Sequence, residues 1–132
     1  MYLLDTSALI VHMFNSQTYA TLSKEAAEIV QTAENLFVSD ITLWELAIKA
    51  KIGKITLGKT IEQVKDECYH QGIRILPLRT EYIDETLRLT MYDDHKDAFD
   101  RLIIAIASVE GMSLITTDEK IRTHEYGVKV IW

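Results

Sequence analysis

Short apolar runs alternate with longer stretches whose apolar residues recur at helical spacing, and this alternation continues along the whole chain. Tyr2, Leu3 and Leu4 read as a strand that ends at Asp5, and an apolar helix follows over residues 7–14. Ala26, Ala27, Ile29, Val30 and Ala33 fall on one face of a helix spanning 23–33. Leu36, Phe37 and Val38 predict a second strand. Ser39 and Asp40 offer N-caps to a helix carrying Leu43, Trp44, Leu46, Ala47, Ile48 and Ala50, which stops near Gly53. A further helix covers 60–71, with Gly72 as its stop signal. A third strand, broken by Pro77, covers 73–78, and a helix follows over 80–89. The pattern is clearest over 97–110, a helix closed by Gly111. Residues 113–116 give a fourth strand, 119–124 a short helix and 128–132 the last strand.

Strands separated by helices require right-handed crossovers, so neighbouring strands run parallel and both faces of the sheet are covered. The expected architecture is an α/β fold, a three-layer α/β/α sandwich with a mostly parallel central sheet. At 132 residues the chain has the length of a single domain, expected to span 1–132. The one proline, the scattered glycines and the absence of any repeat give no sign of a linker.

Hydrophobic residues make up 48% and charged residues 26%, which excludes a disordered or collagen-like chain. The single cysteine, Cys68, excludes a disulfide framework and a multi-thiolate metal site, and it suits a reducing, cytoplasmic setting. The longest wholly apolar run, 102–107, is far short of a membrane span, and the first 14 residues lack the basic region of a signal peptide. Twenty acidic against 14 basic residues leave a net charge of −6. An acidic domain has no long-range attraction for polyphosphate unless its own carboxylates are covered by metal.

Ligands of open parallel sheets bind beyond the carboxyl ends of the strands, so polar residues just after strands are the first candidates. Asp5 follows the first strand and Asp118 the fourth. Each can also be read as the N-cap of the next helix, a role for which aspartate is favoured by about 1 kcal/mol over alanine. Asp100 lies at the margin of the buried face of its helix, where a carboxylate needs a partner or serves the helix N-terminus. Glu45 is mid-helix with Lys49 four residues on, in the favourable order for an ion pair. Taken together, four acids from distant positions suit a hard divalent cation such as Mg²⁺ or Mn²⁺, and such sites perform phosphoryl transfer.

The segments that carry these acids resemble the PIN-domain nucleases, in the bacterial branch of VapC-like toxins from type II toxin–antitoxin pairs. Leu4-Asp5-Thr6-Ser7-Ala8-Leu9-Ile10 is similar to the opening motif, and residues 38–49 with Gly53-Lys54-Ile55 resemble the second. Asp97-Ala98-Phe99-Asp100-Arg101-Leu102-Ile103-Ile104-Ala105 resembles the third, and Leu114-Ile115-Thr116-Thr117-Asp118 the fourth. Ala98 departs from the proline common at that helix start. The four motifs occur in the family's order and span essentially the whole chain.

The resemblance implies a metal-dependent endoribonuclease in which Asp5, Glu45, Asp100 and Asp118 hold Mg²⁺ or Mn²⁺ and metal-activated water attacks the scissile phosphate. It assigns supporting roles to Thr6, Ser7 and Thr116 as small hydroxyls and to Asp97 as an additional acid. It also implies an RNA substrate, a small cognate antitoxin, a homodimer and no membrane. Arg101 is a candidate phosphate contact, with an ion pair to Asp97 as the alternative. Lys49, Lys51, Lys54 and Lys59 form a basic stretch that either tracks RNA phosphates or completes a solvated helix end.

Other signals are weaker. His12, His70, His95 and His124 show no metal-ligand spacing, and Cys68 beside His70 reads as an ordinary helix residue. Trp44 and Trp132 could stack on bases, but Trp44 lies among apolar positions and is expected in the core. The apolar first helix predicts a buried element or a surface for another subunit. A haloacid-dehalogenase-type phosphatase would need an aspartate where Ser7 stands, and a response-regulator receiver would need one after the third strand, where Leu78-Arg79 stands. A non-catalytic PIN module binding RNA or protein is the remaining alternative.

Overall fold

The computed structural model describes residues 1–14 and 19–132. The chain runs β1 (Tyr2–Leu4), α1 (Thr6–Phe14), α2 (Lys24–Thr32), β2 (Leu36–Ser39), α3 (Asp40–Lys51), α4 (Ile61–His70) and β3 (Ile73–Leu76). It continues through α5 (Thr80–Thr86), α6 (Ala98–Glu110), β4 (Ser113–Ile115), α7 (Glu119–Thr123) and β5 (Val130–Ile131). The strands form one sheet in the order β3-β2-β1-β4-β5. Every pairing in it is parallel, with Leu3 opposite Phe37 on one side and Leu114 on the other.

The period of two along each strand divides the core. Leu4, Leu36, Val38 and Ile115 pack with Leu9, Ala26, Val30, Val64 and Cys68 of α1, α2 and α4. Leu3, Phe37 and Leu114 face the opposite way, onto Tyr82 of α5, Ile103, Ile104 and Ile106 of α6 and Ile121 of α7. Helices therefore cover both faces, giving the three layers expected. Burial of each of these leucines and isoleucines contributes about 2 kcal/mol, so the layering follows from the alternation itself.

Local chemistry sets the helix ends. The Ser23 hydroxyl accepts the Ala26 N–H at 3.1 Å, and Thr60 and Gln63 form a reciprocal capping box. Asp97 accepts the Asp100 N–H at 2.9 Å, so α6 starts at Ala98 without a proline there. Gly111 closes α6 at φ 65°, a left-handed conformation that costs other residues about 1 kcal/mol.

Three elements end earlier than the apolar pattern predicts. β3 stops at Leu76, because Pro77 has no N–H to offer the ladder. The last strand is only Val130–Ile131. α5 stops at Thr86 rather than near residue 89, because the Arg101 guanidinium takes the carbonyls of Thr86 and Thr90 at 2.9 Å and that of Leu89 at 3.3 Å. Those three bonds divert the chain out of the helix and lead it over the N-terminus of α6.

Candidate functional site

From β1 the chain proceeds to β2 and β3 on one side, then returns to add β4 and β5 on the other. The strand order thus reverses between β1 and β4, and in open parallel sheets ligands bind beyond the strand ends at such a point. Asp5 directly follows β1, and Asp118 lies just past β4.

A small set of hydroxyls laces the two strand ends together. Asp5 is 2% exposed. Its Oδ1 accepts the Ser7 hydroxyl and the Ala8 N–H, both at 2.8 Å, and Thr116 donates its hydroxyl to Oδ2. Thr116 Oγ1 in turn accepts the Asp118 N–H at 2.9 Å, and Ser7 Oγ accepts the Thr117 N–H at 3.1 Å. Asp118 caps α7 by accepting the Ile121 N–H at 3.0 Å. Both aspartates are therefore caps, and both also stand at the reversal point.

The remaining acids approach from helices. α3 packs against α1 and α6. Glu45 of α3 accepts the Thr6 hydroxyl at 2.5 Å through Oε1, and its Oε2 lies 3.7 Å from Lys49 Nζ, the expected i,i+4 pair. Asp100 stands in the first turn of α6, beside Asp97. A ligand oxygen of Asp100, one of Asp118 and a ring nitrogen of His95 all lie within 4.8 Å of one another.

The electrostatics record the crowding. Burial pushes the Asp5 carboxyl up to about 7 despite its hydrogen bonds from Thr116, Ala8 and Ser7, and the charge of Asp100 adds to the rise. Asp100 is pushed up to about 8, first by burial and then by the charges of Asp97, Asp118 and Glu45, with Lys49 opposing. The charges thus converge on Asp100, which Asp97, Asp118 and Glu45 push up and which in turn pushes up Asp5. A divalent cation held by oxygen donors relieves this repulsion.

Several sequence candidates need correction. Arg101 is neither a phosphate contact nor the partner of Asp97. It is 8% exposed, and its guanidinium is spent on the carbonyls of residues 86, 89 and 90. Trp44 is not core: it is 61% exposed and meets the Phe99 ring edge-on at 5.3 Å, because the buried stripe of α3 runs through Ile41, Thr42, Leu43 and Leu46. Lys49 is half-buried. Its ammonium sits over the Tyr19 ring at 5.2 Å, and although burial works against the charge, Tyr19, Glu45 and Asp100 together hold its pKa above the ordinary lysine value. Lys51 and Lys54 are exposed beside it, and Lys59 pairs with Glu67.

Cys68 is buried with its thiol pushed up to about 11 by that burial, Sγ lying 3.7 Å from Met13 Sδ, and it takes no part in the site. The Trp132 ring is covered by the Arg122 guanidinium at 3.3 Å. In the first helix, Thr6 to Ile10 are buried and residues 11–14 are half-buried.

The residue that spacing alone passed over is His95. It lies between α5 and α6, is 2% exposed, and points Nε2 at Asp100 Oδ2 across 2.9 Å. No helical or strand periodicity relates it to Asp118 or Tyr126. The one local signal is its place two residues before the α6 cap.

Comparison with known proteins agrees with this fold. The family model described as PIN domain matches residues 2–125. No curated protein matches the sequence. Among solved structures, VapBC-1 from nontypeable Haemophilus influenzae is 21% identical, with a TM-score of 0.65 over 98% of this chain and 95% of that one. FitAcB from Neisseria gonorrhoeae is 22% identical, with a TM-score of 0.63 over 100% of this chain and 97% of the other. VapC20 of Mycobacterium tuberculosis, described as a sarcin–ricin loop cleaving toxin, is 13% identical, with a TM-score of 0.59 over 96% of each chain. A family match over nearly the whole chain, on an all-parallel sheet with acids gathered at its reversal point, makes this chain a member of the PIN domain family.

Proposed function

We propose that the chain is a single-domain, metal-dependent endoribonuclease and the toxin of a type II toxin–antitoxin pair, acting in the cytoplasm. The observation that carries this reading is the approach of Asp100 and Asp118 within 4.8 Å at the sheet's reversal point, where burial and neighbouring charge push the buried Asp5 carboxyl up to about 7 and the half-buried Asp100 carboxyl up to about 8. Carboxylates so crowded are costly unless a cation neutralises them, and an oxygen-rich donor set fits Mg²⁺ or Mn²⁺. Asp5, Glu45, Asp100 and Asp118 are the proposed ligands. When bound, such a cation polarises water for attack and offsets charge on the phosphate in the transition state.

The protein's own groups do the rest. Ser7, Ala8 and Thr116 fix Asp5, Thr6 fixes Glu45, and Asp97 fixes the start of the helix bearing Asp100. Lys51 and Lys54 offer exposed charge for RNA phosphates at the end of the helix that carries Glu45. The likeness to toxin–antitoxin complexes, including one from Klebsiella pneumoniae, supports a small antitoxin as partner, and we extend it to a homodimer.

The test is cleavage of end-labelled RNA by the purified chain with Mg²⁺, Mn²⁺ or chelator, wild type against Asp100→Asn. New RNA ends that depend on metal and vanish in the variant are expected. Cleavage by Asp100→Asn at the wild-type rate, or RNA binding without cleavage in any metal, would refute the enzyme and favour a binding module.

A further inference from the structure

His95 has both ring nitrogens committed within the protein. Its side chain is 1% exposed. Nε2 lies 2.9 Å from Asp100 Oδ2, and Nδ1 lies 2.5 Å from the Tyr126 hydroxyl. The surroundings hold the ring in place. The His95 N–H reaches the Tyr92 carbonyl at 3.2 Å, and the Tyr126 and His124 rings stand edge-on to the imidazole at 5.6 and 5.9 Å. Tyr92 is fixed in turn by the bond from its hydroxyl to the Glu125 carbonyl at 2.7 Å, and His124 by Asp94 at 2.6 Å.

The hydrogen-bond chain takes its direction from Asp100 in the ionised form that binds a cation: a carboxylate only accepts, so Nε2 carries the imidazole proton and donates it to Oδ2. Nδ1 of the neutral ring then accepts the Tyr126 hydroxyl. With Nδ1 accepting and Nε2 donating, the ring has no lone pair left for a cation. Among the described residues none donates a hydrogen bond to Asp100 Oδ1, so the carboxylate has one oxygen held and one available.

We propose that His95, set by Tyr126, is a positioning residue that holds Oδ2 of Asp100 so that the carboxylate presents Oδ1 to a divalent cation. This rests on the metal-site reading above and deepens it. Outer partners of ligating groups fix ligand orientation, and their loss typically weakens metal binding about 10- to 100-fold.

The experiment is a Mn²⁺ titration followed by electron paramagnetic resonance, on folded protein checked by thermal melting, with wild type, His95→Phe, His95→Gln, Tyr126→Phe and Asp100→Asn. His95→Phe should bind Mn²⁺ about 10- to 100-fold more weakly, and His95→Gln, whose amide N–H can reach the same oxygen, should recover most of the affinity. Tyr126→Phe deletes one oxygen and should weaken binding by a smaller factor. Bound Mn²⁺ in the wild type should show no nitrogen coupling.

Wild-type affinity in folded His95→Phe overturns the proposal. So does a nitrogen coupling that disappears in His95→Gln, which would make the imidazole itself a ligand. If His95→Phe fails to fold, affinity lost equally in His95→Gln and untouched in Tyr126→Phe overturns it instead. A wild type that binds no Mn²⁺ removes the metal-site reading and this proposal together. Binding that is lost in Asp100→Asn but kept in every His95 and Tyr126 variant removes only this one.

Discussion

Replacing Asp100 with asparagine should stabilise the metal-free protein at alkaline pH and leave it almost unchanged in acid. In the unfolded chain the carboxyl ionises near its usual 3.8, and in the folded protein burial and the charges of Asp97, Asp118 and Glu45 push it to about 8. A raised carboxyl pKa means that the folded state holds the proton more tightly. Its contribution is therefore fully present below pH 3.8 and is lost as pH rises to about 8. Four units at 1.36 kcal/mol each set an upper bound of about 6 kcal/mol for the loss. The side chain keeps 20% of its surface in water, and the charge relaxes toward that solvent, so we expect about 3 kcal/mol.

Asparagine keeps the shape and an acceptor for His95 but carries no charge. Urea and thermal unfolding in chelator should place Asp100→Asn roughly 10 °C above wild type at pH 8.5 and within about 2 °C at pH 4.5. Adding Mn²⁺ at pH 8.5 should reverse the order, because only the wild type gains binding energy from the cation. Equal melting temperatures at pH 8.5, or a gap of the same size at both pH values, would show that Asp100 is not crowded by its neighbours.

Arg101→Met should destabilise the fold by about 3 kcal/mol in urea unfolding, since three carbonyls lose a buried charged donor. Weaker RNA binding at unchanged stability would instead return Arg101 to the phosphate contacts. Gly111→Ala should cost about 1 kcal/mol, all of it from the left-handed backbone, because an added Cβ meets nothing within 4 Å. A larger loss would indicate a clash that the structure does not contain. Lys51→Ala and Lys54→Ala should each flatten the salt dependence of RNA affinity by about 0.7 in log–log slope, measured in chelator to prevent cleavage. An unchanged slope would leave the basic stretch as a solvated helix end.

The layered fold was legible because its signals are local. Leu3 against Leu4, Phe37 against Val38 and Leu114 against Ile115 alternate between two cores, and that alternation is written in consecutive residues. Asp5 and Asp118 could be found for the same reason, since position after a strand is a sequence property. Strand β3 and helix α5 ran shorter than their patterns because Pro77 and Arg101 act on backbone groups rather than on hydrophobic faces. Trp44 was misplaced because apolar neighbours on a helix do not fix which side faces the core. His95 was passed over because its partners are Asp100 in α6 and Tyr126 near the C-terminus, and only the folded chain brings the three together.

A helix cap and a metal ligand are rival explanations of one aspartate, and under the proposed function the same side chains serve as both. Asp118 Oδ1 holds the Ile121 N–H. Asp5 Oδ1 holds Ser7 and Ala8, while its Oδ2 meets only the Thr116 hydroxyl. Asp100 gives Oδ2 to His95. Asp5 thus has both oxygens held by the fold, whereas Asp118 and Asp100 each have one held. Capping at the two strand ends and the His95 contact at the start of α6 therefore set the planes of these carboxylates.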